Sequence, residues 1–350
     1  MIKQRTLGRT GLKISELCLG TLNFGWKTDE TNSFAILDAY HAAGGNFIQT
    51  AVHPAEFPLP AASANASEEL VGRWWRSRGL SRDQLFMATR IQVRSWHADV
   101  GAFGEWIQQE CHASMQRLKT NYIDMVIFEW GEGLLPIGQT LKAFDQIVRT
   151  GLTRFIGSAN FPAWRVSDSL ARAHLGNHSR MEALQADYSL MTRARFEPEV
   201  MSLCLEQRLG FFARSPLAGG FLIGRNARND VFSSTRRRWL TERFANAYGD
   251  AALAAVRNVA SRHEVSSGQV ALAWVLHNPA VTSAIIGVGS VAQLNQLVRA
   301  TDLGLEKRDL LQLNHATEAE VIQLGGGFAH GRPARAPGIR ISSALVNGSA

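Results

Sequence analysis

Three short stretches of this sequence end in side chains that could move protons or polarise a carbonyl. In residues 47–57, FIQTAVHPAEF, an apolar run leads through Gln49 into a Pro-interrupted loop carrying His53, Pro54 and Glu56. Met87-Ala88-Thr89 leads into Arg90, and Phe128-Glu129-Trp130 sets Glu129 between two aromatics. In α/β proteins chemistry collects where strands end. Arg90 and Glu129 end neighbouring runs, so an Arg–carboxylate contact across a pocket is expected. The plain alternative is an inert ion pair that fills the site. As an active group, Glu129 would serve as an acid, a base or, kept protonated by burial, a carbonyl polariser. His53 would supply a proton near neutral pH, although a loop histidine is more often solvated or structural. Glu56 is a weaker choice for that task.

Two further stretches suit phosphate. Ile285-Ile286-Gly287-Val288-Gly289-Ser290-Val291-Ala292 runs from a strand through G-x-G-x-x-A into a helix, so backbone N–H groups could approach an anion at a helix start. Too few residues follow for a second βαβ half, which excludes a doubly wound dinucleotide fold built on this motif; a mere tight turn is the bland reading. Ser215-Pro216-Leu217-Ala218-Gly219-Gly220-Phe221-Leu222 offers a second glycine loop.

The elements that must position these residues follow from an alternation that starts at Leu17. Apolar runs are expected at 17–20, 46–49, 85–89, 123–128, 154–157, 183–185, 210–213 and 283–286. Helix-length amphipathic segments are expected at 30–43, 67–78, 103–118, 138–149, 162–175, 196–207, 249–262 with 268–277, and 291–300. Eight strand–helix units in one domain imply a closed (β/α)8 TIM barrel, with an open doubly wound sheet as the alternative. Gly8 and Gly11 around Arg9-Thr10 signal an N-terminal hairpin covering one end of the core. Residues 224–248, rich in Arg, Asn and Ser, form a long insertion after the seventh strand, where barrel loops make lids. The barrel is expected over 1–324. The Gly/Ala/Pro-rich tail 325–350 has no helical period and is read as disordered or pinned over the barrel mouth.

Charged residues make up 19% of the 350 and apolar ones 45%, which suits a compact enzyme-like body. The net charge of +7 comes partly from Arg236-Arg237-Arg238 and from Arg332, Arg335 and Arg340. These clusters lack interleaved aromatics, so no nucleic-acid partner is expected. Cys18, Cys111 and Cys204 sit far apart in apolar surroundings and read as buried thiols of a reducing compartment. The N-terminus has no apolar signal region, and no apolar run reaches about 18 residues. A cytoplasmic protein without membrane partner or metal is expected; its oligomeric state is left open.

Taken together, Leu7-Gly8-Arg9-Thr10-Gly11-Leu12-Lys13-Ile14-Ser15, Leu19-Gly20-Thr21, Gly44-Gly45-Asn46-Phe47-Ile48, Ile156-Gly157, Asn160-Phe161, Gln185, Tyr188-Ser189-Leu190 and the Ser215 loop resemble the aldo-keto reductase superfamily over residues 2–324. The resemblance implies an NADPH-binding barrel that moves hydride to a carbonyl with an Asp, Tyr, Lys and His tetrad. In that tetrad the tyrosine donates the proton, the lysine and aspartate tune it, and the histidine orients the substrate. On this chain the four places fall on Gln49, Pro54, Arg90 and Glu129, so none of the four residue types is present. Relatives that reduce conjugated C=C bonds also carry glutamate at the place of Glu129, but keep the tyrosine. Four replacements together point to another use of the site, or to none.

The resemblance also implies that Asn160 and Gln185 hold a nicotinamide carboxamide, and that Thr21, Ser215, Leu217, Gly219 and Gly287 form the cradle, with Gly289 and Ser290 completing its last loop. Departures fall at Arg214, where relatives stack a tyrosine on the ring, at Ala159, a serine in relatives, and at Gly289, where a 2′-phosphate arginine is frequent. NADP(H) is the expected cofactor and NAD(H) the alternative. Trp26, Phe57, Trp96 and Trp130 fall in loops after the first four strands and suggest a hydrophobic or aromatic substrate. The expected function is non-standard chemistry on a small, largely apolar metabolite: atypical nicotinamide-dependent reduction, or non-redox lyase, dehydratase, cyclase or isomerase work. The competing class is a non-catalytic nucleotide or ligand sensor.

Overall fold

The computed structural model describes residues 1–52, 65–93, 100–130, 136–223 and 234–318. A hairpin of β1 (Gln4–Thr6) and β2 (Lys13–Ser15) precedes eight parallel strands: β3 (Leu17–Gly20), β4 (Phe47–Val52), β5 (Phe86–Val93), β6 (Ile123–Trp130), β7 (Thr153–Ala159), β8 (Met181–Asp187), β9 (Gly210–Arg214) and β10 (Ser283–Ile286). They close in the order β10-β3-β4-β5-β6-β7-β8-β9, the (β/α)8 barrel expected from the alternation. The helices are α1 (Glu30–Ala42), α2 (Ala66–Ser77), α3 (Val100–Leu118), α4 (Ile137–Arg149), α5 (Ala163–Leu175), α6 (Val200–Gln207), α7 (Ser234–Phe244), α8 (Ala247–Arg262), α9 (Ser267–His277), α10 (Val291–Val298) and α11 (Lys307–Ala316).

Local chemistry sets several of these boundaries. The Asp29 carboxylate accepts from the Asn32 N–H at 2.8 Å and starts α1, and a reciprocal Ser266–Gln269 box starts α9. Gly44, at φ +89°, turns the chain out of α1 toward β4. Pro198 has no N–H to donate into a helix. The helix expected over 196–207 starts only at Val200 as α6, and a 3₁₀ turn at Arg193–Arg195 precedes the segment.

Side chains alternate between two cores. Cys18, Phe47, Phe86, Ala88, Met125, Ile127, Ala159, Ala183 and Phe212 fill the lumen, and Leu7 and Ile14 of the hairpin plug its lower end. Phe47 meets Phe86 edge-on at 5.2 Å and Phe212 at 4.9 Å. The other strand face packs on the helices in a second, larger cluster. The lumen series fixes which residues enter the mouth: continuing it by twos reaches Gln49, Arg90, Gln92, Glu129, Gln185, Asp187 and Arg214 at the carboxyl ends of their strands.

Two helices are additions to the expected pattern. α7 lies in the insertion read as a lid loop and is anchored by buried Leu240 and Phe244, the latter 5.4 Å from Phe221. α11 packs on α8 through Leu313 and Asp309. Burial pushes the Asp309 carboxyl up, but bonds from Arg262 at 2.6 Å, His263 at 2.7 Å and the Glu306 N–H at 3.0 Å outweigh it and hold the group at about 2. An unfolded aspartate titrates near about 3.9. The depressed value therefore adds stability that is complete above about pH 4 and is lost as the pH falls toward 2. Denaturant unfolding at stepped pH should show this acid loss in the native chain and a flatter profile in Asp309→Asn. Identical profiles would show that the stabilisation lies elsewhere.

Cys18, Cys111 and Cys204 are buried and free, and burial pushes the Cys111 and Cys204 thiols up to about 12. Among the described residues no helix is long and apolar enough to cross a membrane, and no group of three or more His, Cys, Asp or Glu gathers to hold a metal. The tail at 325–350 lies outside the described residues.

Candidate active site

At the carboxyl end of the barrel the lumen changes from apolar to polar within one residue pair. β5 and β6 run side by side with Arg90 opposite Ile127 and Gln92 opposite Glu129. Arg90 Nη1 stands 3.2 Å from Glu129 Oε2, so the contact expected from the two strand ends forms. Both residues are more than nine-tenths buried. Glu129 has two further partners: Asn160 Nδ2 donates to its Oε1 at 2.8 Å, and Arg214 Nη1 lies 3.3 Å from the same atom. Arg214 is in turn held by Asp187, with Nε to Oδ1 at 2.8 Å, across register partners on β9 and β8. Two guanidinium groups and two carboxylates thus interlock around the mouth. Such a buried network balances charge and fixes geometry more than it adds net stability.

Below this network, Gln49 and Gln185 pair side chain to side chain, Nε2 to Oε1 at 2.9 Å one way and 3.3 Å the other. β4 and β8 stand opposite each other in the ring, so this pair crosses the full lumen. The Thr21 hydroxyl donates to the Gln49 carbonyl at 3.1 Å and meets the Ser67 hydroxyl at 2.7 Å, so it is engaged within the protein.

The glycine loops lie beside each other above β9 and β10, which are neighbours in the ring. Ser215 and Ala218 have φ of 54° and 50°, and Gly219 and Gly220 follow at 69° and 102°. This left-handed run is unusual for side-chain-bearing residues and bends the chain sharply over the strand end, with the Leu217 carbonyl accepting from the Gly220 N–H at 2.9 Å. In the second loop a Cβ on Gly287 would meet nothing within 4 Å, and the Ser290 hydroxyl caps α10 by accepting from the Gln293 N–H at 3.3 Å. The Gly289 N–H is already bound to Gln293 Oε1 at 2.9 Å. Gly287 leaves open backbone of the kind that receives a pyrophosphate, whereas Gly219 is approached by Trp239 and Leu240 of α7, and both amides that would meet a carboxamide, Asn160 and Gln185, are engaged by Glu129 and Gln49.

His53, Pro54, Glu56, Phe57 and Trp96 lie outside the described residues, as does the Trp130 side chain. The Trp26 indole donates to the Leu22 carbonyl at 2.8 Å and Lys27 sits over its ring, which ties that aromatic into its own loop. The structure adds Arg214, Asp187 and Gln92 to the mouth. Arg214 was legible only as a departure at the ring-stacking place. Counting by twos from Phe212, Ala183 and Ala88 would have found all three.

The closed eight-stranded ring with its outer helices, charged mouth and two glycine loops over adjacent strands defines a (β/α)8 barrel. Residues 16–318 match the family model described as the aldo/keto reductase family, and the chain belongs to that family. It is 32% identical over 315 residues to the uncharacterized oxidoreductase YrpG of Bacillus subtilis (strain 168), covering 88% of this chain and 94% of that protein. It is 28% identical over 330 residues to Protein tas of Escherichia coli (strain K12), covering 87% and 94%. Norsolorinic acid reductase stcV of Emericella nidulans is 28% identical over 317 residues, covering 85% and 76%.

Proposed function

We propose that this chain is an oxidoreductase that binds NADP(H), with NAD(H) as the alternative, and reduces the carbonyl of a small, largely apolar metabolite with Arg90, Glu129 and Arg214 in place of the family's tetrad. The observation that carries the reading is the Glu129 carboxylate held from three sides by Arg90, Arg214 and Asn160 at the mouth. The names of the relatives, an oxidoreductase and a reductase, support the reaction class.

The cradle would be formed by Ser215, Leu217, Gly219, Gly287, Gly289 and Ser290, with Asn160 and Gln185 at the nicotinamide end. When bound, the nicotinamide supplies the hydride. The protein's share is electrostatic: Arg90 and Arg214 present N–H donors where negative charge would grow on a carbonyl oxygen, and Glu129 keeps both side chains oriented. Proton delivery falls to His53, as the sequence expects. Without a positioned tyrosine, ordinary ketone reduction would be slower by about 10²- to 10⁴-fold unless His53 substitutes. The same charged set would also serve non-redox lyase, dehydratase, cyclase or isomerase steps. The engaged amides of Asn160 and Gln185 favour a second reading, a non-catalytic nucleotide or ligand sensor.

Isothermal titration with NADPH, NADP⁺, NADH and NAD⁺ tests the proposal. At least one should bind with Kd below about 100 μM, which is about −5.5 kcal/mol. Silence for all four would remove the redox reading and leave the sensor or non-redox alternatives.

A further inference from the structure

We infer that the mouth is built for a ligand carrying neutral hydroxyl groups, which donate to Gln92 and Glu129, and that Gln92 is a substrate-binding residue. The inference rests on the site proposed above and names the chemistry its occupant must bring. Gln92 and Glu129 are register partners on β5 and β6, and both continue the lumen-facing series of their strands. Neighbouring strands lie about 4.8 Å apart, so the two side chains reach into one shared volume.

Two acceptors in that volume lack donors. Gln92 Oε1 and Glu129 Oε2 are buried, and neither accepts a hydrogen bond; Arg90 approaches Glu129 Oε2 at 3.2 Å as an ion pair without hydrogen-bond alignment. Buried acceptors in folded proteins are almost always paired, and one left unpaired at a ligand site selects for a molecule that brings the missing donor. A carboxylate or phosphate brings only acceptors. An ammonium brings donors, but Arg90 and Arg214 stand 3.2 and 3.3 Å from the same carboxylate and repel a third positive charge. Neutral O–H groups meet both conditions. A carbonyl compound hydroxylated on the carbons beside the carbonyl would place two donors close enough to reach both acceptors. This adds a polar requirement to the apolar substrate suggested by the loop aromatics.

The test compares 1,3-dihydroxyacetone with 3-pentanone, which have the same skeleton with methyl in place of hydroxyl. Saturation-transfer NMR titrations are run with and without NADP⁺ on the native chain and on Gln92→Leu, whose folding is checked by its thermal midpoint. Dihydroxyacetone should bind the native protein at least about tenfold more tightly than 3-pentanone. Gln92→Leu should shrink that preference about fivefold or more. Equal or tighter binding of 3-pentanone would overturn the inference, as would an unchanged preference in Gln92→Leu, or no saturable binding of either ketone. Because the nucleotide-free titration stands alone, loss of the cofactor reading would leave this comparison intact.

Discussion

Glu129→Gln should lower turnover of an identified substrate by about 10²-fold or more while nucleotide affinity stays within about threefold of the native value. The substitution keeps shape and volume, and a glutamine oxygen can still accept from Asn160. What it removes is the charge between Arg90 and Arg214, and it turns an N–H₂ toward guanidinium donors that need an acceptor. Arg90 then loses its charged partner, and Arg214 keeps its Asp187 bond but loses the Glu129 contact that aims it at the oxygen it would stabilise; 10²-fold corresponds to about 2.7 kcal/mol of barrier. A buried ion pair with one partner neutralised also loses stability. Rates must therefore be read at a temperature where both proteins are fully folded. A lower thermal midpoint with unchanged kcat would mark the network as structural. Full activity in both respects would move the chemistry elsewhere in the mouth.

The second large effect is expected at the opposite end of the barrel. Asp124, at the start of β6 and 2% exposed, accepts from Arg82 Nη2 at 2.5 Å, from the Met87 N–H at 2.9 Å and from Arg154 at 3.2 Å. It thereby ties three strands, β5, β6 and β7, and the loop before β5 together. Asp124→Ala strands the Met87 amide and removes the charge that balances a largely buried guanidinium. A loss of about 3 kcal/mol in denaturant unfolding is expected. Arg82 keeps part of its bonding to the Leu85 carbonyl and the Thr120 hydroxyl, which limits the loss. Asp124→Asn should lose less, because it retains an acceptor for Met87. Ligand binding per folded molecule should not change in either variant, since the residue lies a strand's length from the mouth. A cost under about 1 kcal/mol for the alanine variant would show that the network is redundant.

The two regions differ in how far the sequence exposes them. The barrel is legible because each strand carries an apolar run that the lumen and the helices both require, and β3 and β10 match their expected bounds. The other six strands run past the carboxyl ends of their apolar runs, by two to three residues in β4, β6, β7 and β8. The reason is physical: apolar residues mark the packed lumen, whereas backbone pairing continues into the polar mouth. Gln92, Asp187 and Arg214 therefore look like loop residues when hydrophobicity alone sets the strand end. Glu129 is visible because it directly follows Phe128, and Arg90 because only Thr89 separates it from the apolar run Leu85 to Ala88. α7, with its run of arginines, escapes a search for amphipathic faces, and α11, although it carries Leu310, Leu311 and Leu313, lies beyond the eight strand–helix units. Each is held by two or three buried contacts rather than by a full apolar stripe.

On the proposal that Gln49, Arg90 and Glu129 replace the family's tetrad, the Gln49–Gln185 pair has a practical consequence for any attempt to restore that tetrad. It acts as a crossbar: two amides from opposite walls meet over the phenylalanine cluster and separate an apolar shaft from a charged basin. Placing an aspartate at 49 shortens one arm, so the bar parts and Gln185 is left facing a carboxylate that it reaches only through water. A lysine at 90 would then stand above an open shaft, with Glu129 deprived of Arg90. Conversion is thus a cooperative exchange of one self-consistent set of polar contacts for another, and single-residue reversions should each leave the barrel worse at both tasks.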